Sequence, residues 1–272
     1  MNRAFQYRAA SSYDEALGWL AELGPQGRVL AGGTDLLINI RAGLMRPETV
    51  IDIKRIPNID QLSDSPTEGL VIGAGVTINE LLEREEVIQH YPLLTACAEH
   101  LASHQVRNRA TVVGNIVNAS PCADMAPGLL CLDASIEVRS QAGPRTVPAH
   151  TFFTGAKQTI LKPGELVSRI LIPATTRDAQ GGYLKLKRIA GHDLGIVGAA
   201  LLKHGDLIRV AVSSAAPTPV RVRDFSTADS LDTVIAETQA AICPIDDVRC
   251  TKEYRLFMVG VFLKRLWQEV VA

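Results

Sequence analysis

The segment Val29-Leu30-Ala31-Gly32-Gly33-Thr34-Asp35 constrains this chain most, because it joins a short apolar run to a helical one through two adjacent glycines. Glycine reaches backbone angles closed to other residues and lets N–H groups approach a neighbour closely. With a helix starting at Leu36, the free N–H groups and the positive end of the helix dipole favour an anion at the same place. A second turn of similar make-up, Thr111-Val112-Val113-Gly114-Asn115, lies further along. Either turn alone is more often only a tight connection.

The elements around these turns predict alternating helices and strands. Ser12 and Glu15 form a capping-box pattern for a helix over 13–23, with Gly24 suited to its end. A strand over 28–31, a helix over 36–41 and a strand over 49–53 complete a small α/β unit that closes near Pro57. The next unit has a strand over 70–73, a second capping box at Thr77 and Glu80, and a helical run over 92–101. Residues 111–120, rich in β-branched side chains, Asn and Gly, are expected to be extended. A helix over 126–132 and strands over 135–139 and 166–172 follow. After Pro173 the pattern becomes antiparallel, with strands over 182–186, 196–203 and 207–213 and a tight turn at His204-Gly205-Asp206. Two helices finish the chain, and the last carries Leu256, Val259, Leu263, Leu266 and Val270 as an apolar stripe.

With 272 residues, 47% of them hydrophobic, the chain can bury more than one core, and two or three compact units are expected. The net charge of −1 gives no basic field for nucleic acid or an anionic membrane. No run approaches the roughly 20 apolar residues of a membrane span, so a soluble, cytoplasmic protein is expected. The five cysteines are scattered without C-x-x-C, which argues against a disulfide framework and against a zinc or iron–sulfur cradle. His100 and His104 lack the Glu of H-E-x-x-H. Gly73-Ala74-Gly75 begins like a dinucleotide fingerprint but has Ile78 where a third Gly or Ala belongs; there is no P-loop and no Gly-x-Ser-x-Gly.

The run Val29 to Leu36, taken with Val106-Arg107-Asn108-Arg109-Ala110-Thr111 and Asn118-Ala119-Ser120-Pro121-Cys122-Ala123-Asp124, resembles the FAD subunits of the xanthine dehydrogenase and carbon monoxide dehydrogenase family of molybdenum hydroxylases. Tyr183, Lys185, Arg188 and Asp193, then Ala216-Pro217-Thr218-Pro219-Val220-Arg221, Pro244 to Arg249 and Glu253-Tyr254-Arg255 extend the likeness through the C-terminal third. The resemblance implies an α+β fold of the p-cresol methylhydroxylase type: FAD-binding α/β subdomains at 1–57 and 58–175 and a C-terminal α+β domain at 176–272. It implies that Val29, Leu30, Ala31, Gly32, Gly33, Thr34, Asp35 and Leu36 wrap the pyrophosphate, completed by Thr111, Gly114 and Asn115. Leu101 and Asp124 match positions near the adenosine half, and Val167 and Lys185 match positions at the flavin end.

Each matched side chain also has a local reading. Thr34 and Thr111 can donate to phosphate or cap their own backbone. Asp124 can accept from ribose hydroxyls or cap the helix at Ala126, and the two can hold together. Lys185 is either a fixed charge beside reduced flavin or a solvated strand lysine. The family pattern has glycine where this chain has Ala110 and Val113, and the branched Val113 demands an ordinary φ or a wider turn.

By the same resemblance FAD is noncovalent, with molybdopterin and 2Fe-2S clusters held by a large and a small partner subunit in a dimer of heterotrimers. The chain then relays electrons to NAD or another acceptor and needs no catalytic acid, base or nucleophile of its own. A self-sufficient FAD-dependent reductase and a cofactor-free scaffold subunit are the alternatives.

Overall fold

The computed structural model describes residues 4–272. The first glycine turn lies in a three-stranded parallel sheet of order β1-β3-β2, with β1 Gln6–Ala9, β2 Gly27–Leu30 and β3 Thr49–Asp52. Parallel neighbours need crossovers; α1 (Tyr13–Leu23) and α2 (Leu36–Arg41) supply them. β3 is buried along its whole length. Ser12 caps α1 by accepting from the Glu15 N–H, but the Glu15 carboxylate takes the N–H of Ser11, one residue before the cap, so the box is displaced by one position.

The second sheet is antiparallel, of order β4-β5-β10-β6-β7. Its strands are β4 Leu62–Ser65, β5 Gly69–Gly73, β6 Ser135–Ser140, β7 Gly143–Pro148 and β10 Leu166–Ile172; the small ribbon β8 Phe153–Gly155 with β9 Gln158–Thr159 intervenes. Between β5 and β6 run α3 Ile78–Glu83, α4 Glu85–His90, α5 Pro92–Glu99, α6 His104–Arg107, α7 Val112–Val117 and α8 Met125–Cys131. Thr77 and Glu80 form the complete reciprocal capping box. All seven residues of α8 are buried.

The extended stretch expected at 111–120 is instead helical over most of its length. Thr111 is extended and its hydroxyl accepts from the Gly114 N–H at 3.0 Å, which starts α7. Val112, Val113 and Ile116 are all buried. Burial of that face outweighs the few tenths of a kcal/mol by which β-branched residues disfavour a helix. Ala119, at φ 45°, ends the segment.

The C-terminal sheet runs β11 Gln180–Leu186, β12 Val197–His204, β13 Leu207–Ser213 and β14 Val220–Arg221, with β15 Phe225–Ser226 also on β13. Gly205, at φ 57°, makes the tight turn between β12 and β13. Period-2 alternation splits this sheet between two cores. Tyr183, Ala200, Leu202 and Ala211 join the core that runs through the rest of the molecule. Ala199, Leu201, Val210 and Val212 face α9 (Leu231–Ala241) and α10 (Lys252–Val270). The α10 stripe packs as its spacing predicts: Val259, Leu263 and Leu266 are fully buried, each worth about 1.5–3 kcal/mol of transfer free energy. Among the described residues no helix is long and apolar enough to cross a membrane.

Candidate cofactor-binding site

The two turns that stand out in sequence meet in space. They line one cavity of about 550 Å³, within the range of small-molecule and cofactor sites. Val29, Ala31, Gly32, Gly33, Thr34, Asp35 and Leu36 line it from the N-terminal sheet, Thr111, Gly114 and Asn115 from the start of α7, and Val167 from β10. Leu30 does not line it; its side chain is buried. A smaller cavity, near 220 Å³, includes Asp64, but Tyr91 and Arg177 already occupy that carboxylate.

The backbone of the first turn is unusual in what it leaves free. Among the described residues, none of the amide N–H groups of Gly32, Gly33, Thr34, Asp35 and Leu36 donates to another protein group, whereas Leu37 and Asn39 donate to Gly33 and Asp35. A row of unspent donors is the requirement for an anion cradle. The glycines serve it for different reasons. Gly33 has φ +76°, where a side chain is strained, and a β-carbon on it would sit 2.8 Å from Leu30 Cδ1. Gly32 has no such angle, but a β-carbon there would collide with the carbonyl oxygen of Arg109, so the glycine lets the two turns touch.

The side chains divide in the same way. The Thr34 hydroxyl has no protein partner among the described residues and does not cap its own backbone, while the Thr111 hydroxyl caps α7 and keeps its own proton to donate. Asn115 Oδ1 accepts from the Met125 N–H at 3.3 Å, tying the cavity wall to the start of α8. Val113 lies inside α7, so its branched side chain sits on ordinary helical backbone and forms part of the wall. Arg28, Asp35, Lys157 and Glu165 are the charged wall residues. Arg145 grips Glu165 through two hydrogen bonds and, with burial opposing, lowers its pKa. That leaves Lys157 and Arg28 as uncompensated cations against Asp35.

Leu101, Asp124 and Lys185 are gathered elsewhere, outside the residues that line the cavity. Lys185 Nζ lies 2.8 Å from Asp124 Oδ2 and donates to the His100 carbonyl at 3.3 Å, and Tyr183 donates to Asp124 Oδ1 at 3.1 Å. The His100 ring meets Tyr183 edge-on, and Leu101 is buried beside them. Lys185 is therefore no solvated strand lysine: its side chain is 3% exposed. Asp124 stands at the N-cap of α8 but makes no side-chain cap bond, because both carboxylate oxygens face Lys185 and Tyr183. Burial raises its pKa, with Lys185 the main opposing influence.

Sequence reasoning missed Asn39, Leu44, Met45, Asn118 and Lys157 in the wall, and Tyr183 as the third member of the buried cluster. Tyr183 and Asn118 left a trace, since both fall in the segments that carry the family resemblance. Lys157 reaches the cavity from the β8–β9 ribbon, where its N–H bonds the Ala119 carbonyl, and no local pattern encodes that contact.

Comparison with known proteins identifies the family. Residues 3–175 match the family model described as the FAD binding domain in molybdopterin dehydrogenase. The medium chain of carbon monoxide dehydrogenase from Hydrogenophaga pseudoflava is 34% identical over 96% of this chain and 95% of its own length. The xanthine dehydrogenase FAD-binding subunit of Escherichia coli O157:H7 is 30% identical, over 98% of this chain and 96% of that one. Among solved structures, a Cu,Mo-CO dehydrogenase in its cyanide-inactivated form superposes with a TM-score of 0.92 at 30% identity, covering 99% of this chain and 98% of the other. Quinoline 2-oxidoreductase from Pseudomonas putida 86 gives 0.89 at 26% identity over the same shares. The chain belongs to the family of FAD-binding subunits of molybdenum-containing dehydrogenases, with the α+β fold of that family, and is an oxidoreductase subunit.

Proposed function

We propose that this chain holds one noncovalent FAD in the 550 Å³ cavity and relays electrons from the iron–sulfur clusters of a small partner subunit to NAD or another acceptor. A large molybdopterin subunit oxidises the substrate, and the assembly is a cytoplasmic dimer of heterotrimers. The observation that carries the reading is the row of unspent N–H groups from Gly32 to Leu36, set in the wall of a cofactor-sized cavity.

Bound FAD supplies a redox centre that accepts electrons and passes them on. The chain's own residues hold and shield it. The amides of 32–36 and the hydroxyls of Thr34 and Thr111 take the pyrophosphate, and the Lys157 ammonium offsets its charge. Val29, Leu36, Val113 and Val167 give apolar wall that keeps water from the rings. Leu101, Asp124 and Lys185 act one layer behind: their cluster fixes the start of α8, to which Asn115 is hydrogen-bonded. In this reading the sheets mark three units, with 1–57 and 58–175 gripping the cofactor and 176–272 bracing them. Val113 sits on helical backbone, so its branched side chain is compatible with a bound cofactor.

The test is flavin content. Acid denaturation should release about one FAD per chain into solution; flavin retained by the precipitate would contradict noncovalent binding, and a colourless native complex would contradict the whole reading.

A further inference from the structure

The helix after the glycine turn is apolar yet unburied. α2 reads LLINIR and has no buried residue. Leu37 is 43% exposed, Ile38 65% and Leu44 76%, and Met45 and Val117 are exposed beside them. Leu44, Met45 and Val117 also form cavity wall, so this patch begins at the rim of the site. A six-residue helix has no stability of its own. Scattered exposed apolar side chains are ordinary, but a contiguous group at a cavity mouth marks a surface that something covers.

We propose that residues 36–46, with Val117, are the docking surface for the electron-donating protein, an acidic iron–sulfur partner; this rests on the relay reading above. Two observations choose that occupant. Within 36–46 the only charged residues are Arg41 and Arg46, both exposed and neither in an ion pair among the described residues; Asp35 and Glu48 lie just beyond the ends. A cluster held by four cysteine thiolates is itself anionic, so a face presenting it complements this one. The patch is also continuous with the rim, where a donor can come close to a cofactor edge. Another set of exposed apolar side chains, Ile245, Val248, Tyr254 and Phe257, contributes nothing to the cavity. A second copy fits poorly, because a two-fold contact would set Arg41 and Arg46 of one chain against those of the other.

The experiment uses the complex co-expressed with its partner subunits, with Ile38→Asp or Arg41→Glu in this chain, two exposed positions that do not line the cavity. Ile88→Asp, at an exposed site on α4, is the control. Flavin per chain, co-purifying iron, and the rate of flavin reduction after substrate addition are measured. The expected result is wild-type flavin with a tenfold or greater loss of bound iron–sulfur subunit in the first two variants, and no change in the third. Full iron and a wild-type rate in both variants would overturn the assignment. So would loss of flavin with the partner still bound, which would make the segment cofactor wall only. Conversion of a self-associated isolated chain to a monomer, with partner binding intact, would make the patch a self-contact and overturn it too. A wild-type complex without flavin counts against the relay reading alone, because partner capture is read from iron.

Discussion

Gly32 lies against the carbonyl of Arg109 so closely that no β-carbon fits between them. The two turns that sequence marks as separate anion-binding candidates are thus one object, closed by a backbone-to-backbone contact. Gly32→Ala should cost about 1–3 kcal/mol through overpacking and also open the cradle, lowering FAD affinity at least tenfold. Gly18→Ala in α1 meets nothing within 4 Å and should be neutral or stabilising by up to about 1 kcal/mol. Urea denaturation and flavin titration of the two variants check this; equal behaviour would separate the turns again.

Lys185 and Asp124 form a buried pair, and removing one partner leaves the other's charge stranded. Lys185→Ala should therefore destabilise by about 3–5 kcal/mol, and Lys185→Met with Asp124→Asn should recover most of that loss in urea melts. Because Asp124 compensates the ammonium, the double variant should also keep the wild-type flavin potential. A clear shift in a reductive titration would restore Lys185 as the group that tunes the flavin.

Asp247 ties the last helix to the rest of the C-terminal domain. Hydrogen bonds from Arg249, with Arg255 nearby and burial opposing, hold its carboxyl far below the usual range. Arg255 is itself 1% exposed; it donates to the carbonyls of Ile196 and Ser214 and lies 2.8 Å from Asp247, out of line for a hydrogen bond to it. A carboxyl with a depressed folded pKa adds stability above its unfolded pKa, near 4, and loses it as pH falls toward the folded value. Asp247→Asn should thus be less stable than wild type at pH 6–7, with the gap narrowing below about pH 4. A constant gap across that range would show that the aspartate acts through shape alone.

Thr111 begins α7 with its hydroxyl. Thr111→Ala should cost about 0.5–2 kcal/mol, and Thr111→Ser should restore most of it. If Thr111→Ser keeps stability but loses FAD affinity, the methyl group is part of the wall.

What could be read from residues alone was what is encoded locally. The Gly33 turn, the Thr77–Glu80 box and the stripe on α10 each carry their cause within a few residues. The helix at 112–117 does not, because its β-branched run favours a strand and only the burial of Val112, Val113 and Ile116 decides otherwise. The site follows the same division. The run 29–36, Leu30 excepted, was legible as cavity wall because the backbone that lines the cavity is the backbone that turns. The partnership of Asp124 with Lys185 and Tyr183 was not, because it joins positions about 60 apart in the chain.

The central claim is that the amides of 32–36 bind a pyrophosphate, and the most direct measurement compares FAD with riboflavin on flavin-depleted protein by fluorescence titration. The two ligands share the ring system and differ in the phosphates and adenosine. FAD should bind at about one per chain, and riboflavin at least a hundredfold more weakly, about 3 kcal/mol. FMN should fall between them, and Gly32→Ala should erase most of the FAD advantage while leaving riboflavin binding as it was. Equal affinity for FAD and riboflavin would contradict the account.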